Sequence, residues 1–255
     1  MKKILFPLLL ILVLYFFGCE SQIKSDSLPL YNYKNENINT PTSVISAPSI
    51  ELKDNVNIQV PFASQAPNAN WSEPYQDACE ETSIIMANEF VSNNQNSDMD
   101  KNDANEKILN LVGWQEKNWG GHFDLDAAKT LELMQNYFGT NSGEIKTIQS
   151  IDDLKQILSD GKIIIAPTFG QALNNPYFTA PGPVYHMLVV KGYDKENFIT
   201  NDPGVWQGKD FKYSHQNLFD SIFDLPAEAV MKSGFIKDHK DLMQSGAKNV
   251  IVVSR

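Results

Sequence analysis

The sequence predicts an α+β fold with a helical first part and an antiparallel sheet in the second part. Between about residues 77 and 159 apolar residues recur at helical intervals, and from residue 162 onward the pattern changes to short β-branched runs separated by turn residues. Composition agrees with a globular chain: 255 residues, 42% hydrophobic and 20% charged, with 14 Gly and 13 Pro. The formal charge is −10, and no basic block stands beyond Lys2-Lys3. This balance argues against a nucleic-acid partner, whose binding draws on counterion release by Lys and Arg.

The first eighteen residues stand apart from the fold. Met1-Lys2-Lys3 is a short positive head, and Ile4 to Phe17 is an apolar run interrupted only by Pro7. It is shorter than the roughly 20 residues of a membrane-spanning helix and suits a secretory h-region. Gly18-Cys19 follows directly. A small residue before a cysteine at that place resembles the bacterial lipoprotein signal, with Phe16 where Leu is usual. The resemblance implies removal of residues 1–18, acylation of Cys19, and a protein anchored in the bacterial cell membrane on its extracytoplasmic face. Cleavage also removes Lys2 and Lys3, so the acyl chains, at about 0.8 kcal/mol per buried CH₂, and not attraction to anionic lipid, would hold the acidic chain there. Residues 19–55 are rich in Ser, Asn, Thr and Pro without periodic apolar residues and read as a flexible tether. The domain is then 56–255, long enough for a sizeable core.

Within the domain, residues 56–60 alternate like a short strand before Pro61, and a Pro/Asn-rich loop runs to Pro74. Asp77-x-x-Glu80 has capping-box spacing, so a first helix is expected from Asp77, with Cys79 in its first turn. Further helices are expected over 105–117, over 124–138 with Gly139 as a C-terminal stop, and over 152–159. Strands are expected over 162–166, 186–193, 197–201 and 250–253, the middle two forming a hairpin about Asp194-Lys195-Glu196.

Two cysteines are too few for a disulfide scaffold, and Cys19 is taken up by the signal. Cys79 is therefore either an inert core thiol or a reactive one. Its place at a helix N-terminus favours the thiolate, and a nearby imidazolium would favour it further. His122, His215 and His239 lie in polar surroundings and read as solvated or capping residues, whereas His186 opens the most apolar strand. With the hairpin loop centred on Lys195, Asp202 falls opposite Leu188, on the face of His186 and one diagonal step away. A loop of two or four residues without a bulge would turn Asp202 to the other face. Thiol, imidazole and carboxylate then follow the logic of nucleophile, base and orienting group. Gln65 and Gln76 could each donate a side-chain amide to an oxyanion.

Five blocks, in order, carry a more specific resemblance. They are Val60-Pro61-Phe62-Ala63-Ser64-Gln65-Ala66-Pro67, Asn70-Trp71, Ala78-Cys79-Glu80-Glu81-Thr82-Ser83, Tyr185-His186-Met187-Leu188-Val189-Val190-Lys191-Gly192-Tyr193-Asp194, and Thr200-Asn201-Asp202-Pro203-Gly204. Together they resemble the cysteine peptidase family 39-like domain over roughly residues 56–225, related to bacteriocin-processing peptidases. The resemblance implies a papain-like fold, Cys79 as nucleophile, His186 as general base, Asp202 as its orienting partner and Gln65 as oxyanion donor. Gln65 lies farther before the cysteine than in the papain arrangement, and Gln76 stays as its rival. No metal or cofactor is required by such chemistry.

The expected function is a membrane-tethered cysteine peptidase acting on a peptide or protein through a thioester. A thioester-using acyltransferase would employ the same residues. A peptide- or cell-wall-binding lipoprotein on the same fold would instead use aromatics such as Trp71, Trp119 and Trp206. Fractionation tests the anchor: Cys19→Ser is expected to move the protein from the membrane to the soluble fraction, and an unchanged distribution would point to an uncleaved signal anchor.

Overall fold

The computed structural model describes residues 52–255 except Ser233. The signal segment and most of the tether lie outside the described residues. Helices α1 (Cys79–Val91), α2 (Lys101–Trp119) and α3 (Ala127–Phe138) come first; β2 (Gly143–Thr147) and α4 (Ile151–Ser159) lead into the main strands. These are β3 (Ile163–Phe169), β4 (Tyr185–Tyr193), β5 (Asn197–Asn201) and β6 (Phe211–Ser214), followed by α5 (His215–Ser221), the short α6 (Phe235–Asp238) and β7 (Asn249–Val253). The sheet is antiparallel in the order β2-β7-β3-β4-β5-β6, and the two-residue β1 (Val56–Asn57) pairs with the end of β4 that β3 does not reach. The expected α+β class is the one observed.

Both faces of the central strands are covered. Ile163, Ile165, Met187, Val189 and Ile251 pack toward the α1–α3 side, while Ile164, Ala166, Leu188, Val190 and Val252 enter a second core with α4 and α5. That two-sided burial explains why these strands read as continuous apolar runs without alternation. Helix ends follow local chemistry. Asp100 caps α2 by accepting from Asn102 N (2.9 Å) and Asp103 N (3.1 Å), Asp126 caps α3, and Ser150 with Asp153 forms a capping box on α4. Gly120 and Gly139 close α2 and α3 in the left-handed region.

Several boundaries differ from the sequence expectation. Helix α2 starts four residues early because Asp100 caps it, and α3 starts at Ala127 because Asp126 and not Asp124 is the cap. Helix α1 starts at Cys79, and the capping box of Asp77 with Glu80 does not form: Ala78 is the N-cap and no side chain caps the helix. The Asp77 carboxylate is instead taken by Lys237 (2.8 and 2.9 Å), and Glu80 turns inward. Strands β2 and β6 lie outside the sequence expectation: β2 is short and almost wholly exposed, and β6 has only four residues, Phe211 and Tyr213 alternating with exposed Lys212 and Ser214.

The β4–β5 hairpin reaches the expected register by an unexpected route. Next to the turn, Tyr193 faces Phe198 and Gly192 faces Ile199, an even-numbered connection that would send Asp202 to the wrong face. A bulge between Val190 and Gly192 adds one residue, so that beyond it Val190 faces Thr200 and Val189 faces Asn201, and Asp202 comes opposite Leu188. The extra residue, Lys191, is itself tied down. Its carbonyl accepts from Ile58 N (2.8 Å), and its buried ammonium reaches Asn57 Oδ1 (2.7 Å) and Asp210 Oδ1 (2.5 Å). Strand β1 lies so close to the bulge that a Cβ on Gly192 would overlap Val56 O and stand 2.9 Å from Asn57 Cα. Gly192→Ala is accordingly expected to cost about 1–3 kcal/mol of unfolding free energy through overpacking, measured by urea denaturation; an unchanged midpoint would show that β1 does not brace the bulge.

Candidate active site

A cavity of about 610 Å³ brings Gln65, Gln76, Cys79 and His186 to one surface. Trp71 and Trp206, both exposed, also line it. Cys79 comes from the start of α1, and His186 from the start of β4, where the strand emerges from between its neighbours. Helix and strand are joined by Ser83 Oγ, which donates to Met187 O at 3.3 Å.

Asp202 is fully buried, and four donors converge on it. His186 Nε2 lies 2.7 Å and Gly204 N 2.9 Å from Oδ1; Tyr213 OH donates to Oδ2 at 2.6 Å and Asn175 Nδ2 at 3.1 Å. Burial on its own would raise the carboxyl, but the His186 ring, the Tyr213 hydroxyl and the Gly204 amide outweigh it and hold Asp202 below the usual carboxylate range. With Nε2 engaged by the carboxylate, Nδ1 is the ring nitrogen left free of it. The imidazole is further fenced by Phe178, edge-on at 5.4 Å, and by Gly204, where a Cβ would stand 2.8 Å from His186 Cε1.

Gln65 is buried in the cavity wall, but both of its amide hydrogens are directed to backbone carbonyls, Tyr75 O and Gln76 O, each at 3.0 Å. It therefore braces the turn that precedes α1. Gln76, on that turn, is exposed at the cavity, and its side chain makes no hydrogen bond among the described residues.

Cys79 is buried, and its thiol lies 3.0 Å from Glu80 Oε2. Burial pushes the thiol up, Glu80 and Asp124 add to this, and the Met187 amide opposes them. The lowered thiol expected from the helix start is thus not what the resting geometry gives. Around it lies a buried polar shell that sequence reading did not find. Glu81, 0% exposed, accepts from Gln115 Nε2 and lies 3.3 Å from His122 Nε2. His122 is no solvated residue: burial disfavours its charge, yet the Glu81 carboxylate holds it up at about 9. Asp124, raised to about 6 by burial and by Asp77, shares the cavity wall. His239 stacks on Phe235 and His215 stands edge-on to Phe198, both away from the cavity lining. Among the described residues no group of three or more His, Cys, Asp or Glu side chains is arranged to hold a metal ion.

Because the folded His122 titrates above its usual 6.5, the stability it contributes is complete below 6.5 and declines as pH rises toward about 9. Urea unfolding is expected to show that decline in the wild type and a flatter profile in His122→Gln; equal slopes would mean the Glu81 pair is not charged.

The sequence model of the Peptidase_C39 like family matches residues 57–222. No curated protein matches the chain. A crystal structure of a candidate C39-like peptidase from Bacillus anthracis is similar at 19% identity and a TM-score of 0.42, covering 80% of this chain and 99% of that one. The family match spans well over half the chain, from the strand before the cavity loop through the turn that follows α5, and on that ground the chain belongs to the Peptidase_C39 like family.

Proposed function

We propose that the protein is a membrane-tethered, extracytoplasmic cysteine peptidase in which Cys79 is the nucleophile, His186 the general base and acid, and Asp202 the group that orients His186. The observation that carries this reading is the meeting of Cys79 and His186 in one cavity, with His186 Nε2 held 2.7 Å from a buried Asp202 carboxylate. In the proposed reaction, Cys79 gives its proton to His186 Nδ1 and attacks a peptide carbonyl. The oxyanion is met by the Cys79 backbone N–H at the uncapped start of α1 and by a side-chain amide. The free amide is that of Gln76, with Gln65 holding its turn in place. His186 then protonates the leaving amine, and a water activated by the same ring hydrolyses the thioester. If an acceptor nucleophile replaces that water, the same residues make an acyltransferase.

A binding reading on the same fold draws on Trp71 and Trp206, 37% and 41% exposed at the cavity, with Tyr177 beside them at 53%. Trp119, by contrast, packs edge-on against Trp114.

A peptide-library digest separates these readings. Cys79→Ala is expected to fold normally and lose all turnover, and His186→Ala to lose about 10²–10⁴-fold. Asp202→Asn is expected to lose less than His186→Ala, because its role is indirect. Gln76→Ala should lower kcat about 10²–10³-fold with KM little changed. Turnover that survives in Cys79→Ala would overturn the mechanism, and binding without turnover in the wild type would favour the binder.

A further inference from the structure

Glu80, immediately after the proposed nucleophile, has no surface to reach. It is 0% exposed, Leu125 N donates to its Oε1 at 3.0 Å, and Cys79 Sγ lies 3.0 Å from its Oε2. Among the described residues no other hydrogen bond reaches either oxygen, and no Lys, Arg or His forms an ion pair with this carboxyl. A carboxylate in that position would be a buried charge satisfied by one amide and one thiol, which is a costly arrangement.

The groups facing it reinforce the cost. Glu81 sits beside it on α1, Asp124 on the loop before α3, and Tyr185 on β4; of the imidazoles, His186 lines the cavity with Cys79, and His122, whose charge Glu80 also favours, pairs with Glu81 at 3.3 Å and not with Glu80. Burial, then Glu81 and Asp124, raise Glu80 well above the usual carboxylate range, more than the Cys79 and Leu125 contacts lower it. The thiol can donate to Oε2 when Glu80 is a carboxylate; a neutral acid would have a proton of its own to place, and with Oε1 accepting from the Leu125 amide that proton would sit on Oε2, facing the Cys79 sulfur.

We propose that Glu80 is held as a carboxylic acid whose Oε2–H donates to the Cys79 sulfur and stabilises the thiolate when it forms. The proposal rests on the reading of Cys79 as nucleophile. When the thiol proton passes to His186 Nδ1, the sulfur gains a lone pair and negative charge, and the Glu80 proton stays on Oε2 while its hydrogen bond becomes charge-assisted. Nothing is consumed, and the bond is restored to its resting form when the thiol is reprotonated. Glu80 therefore replaces part of the stabilisation that a solvated thiolate would take from water, of which a largely buried sulfur at the cavity wall receives little.

Alkylation of Cys79 by iodoacetamide across a range of pH tests this in the full-length protein. Glu80→Gln keeps a neutral donor and is expected to label within about threefold of the wild type at neutral pH. Glu80→Met fills a similar volume without a donor and is expected to label about tenfold or more slowly at neutral pH, converging on the wild-type rate at high pH as its thiol pKa rises. Near-ultraviolet circular dichroism establishes that each variant is folded, and Glu80→Gln carries the comparison if Glu80→Met is not. Two results would overturn the proposal: Glu80→Gln labelling at least about tenfold faster than wild type, which marks an ionised Glu80 that locks the thiol, or Glu80→Met labelling at the wild-type rate. Turnover in Cys79→Ala tests the nucleophile reading separately, since the labelling series reads the Glu80 bond whether or not Cys79 is catalytic.

Discussion

The interaction on which the site depends is the burial of the Asp202 carboxylate beneath four donors. A carboxylate removed from water is stable only if its lone pairs are satisfied, and here His186, Gly204, Tyr213 and Asn175 satisfy them. Once Asp202 is fixed, the imidazole cannot rotate or exchange its ring nitrogens without giving up a 2.7 Å charge-assisted bond. The orientation of the ring is thus decided by a carboxylate that lies outside the cavity lining. The cavity side receives the other ring nitrogen, Nδ1. The same carboxylate holds β5, the Gly204 turn, β6 and the segment around Asn175 together, so the site and the hairpin end are stabilised by one network.

That network could be reached from sequence only in part. His186, Asp202 and their shared face were legible because strand alternation and a turn centred near Lys195 placed them together. The route was not legible: an even-numbered connection and a bulge at Lys191 compensate for one another, and neither leaves a pattern that periodicity can read. Asn175 and Tyr213 were missed because they come from a loop and a polar edge strand, although the alternation of Phe211 with Tyr213 was a signal for β6. The helical order of the first part was legible from spacing, while its boundaries shifted to whichever Asp or Ser made the cap, Asp100 and Asp126 among them.

Asp77 and Glu80 illustrate a different limit. Their spacing is that of a capping box, and a local rule assigns them to the helix end. Tertiary structure assigns them elsewhere, Asp77 to Lys237 and Glu80 to the interior, because Lys237 and the amide of Leu125 are brought up by segments far along the chain. An uncapped helix start forgoes about 0.5–2 kcal/mol of local stability. What it retains is a set of unsatisfied N–H donors next to a cysteine, which is the arrangement that attracts negative charge.

Burial of Cys79 sets two demands against each other. Dry surroundings strengthen every hydrogen bond made to a developing charge, yet they raise the thiol and so reduce the fraction that is nucleophilic at rest. A charged lysine or arginine beside the sulfur would settle the second demand, but at the cost of another buried ion. Among the described residues the chain instead places a buried ion pair, His122 with Glu81 at 3.3 Å, two residues along α1 from the cysteine, and no Lys or Arg forms a hydrogen bond with the thiol. Charge in this shell is therefore balanced without being placed on the sulfur, and under the proposed mechanism the thiolate would form only as His186 takes the proton.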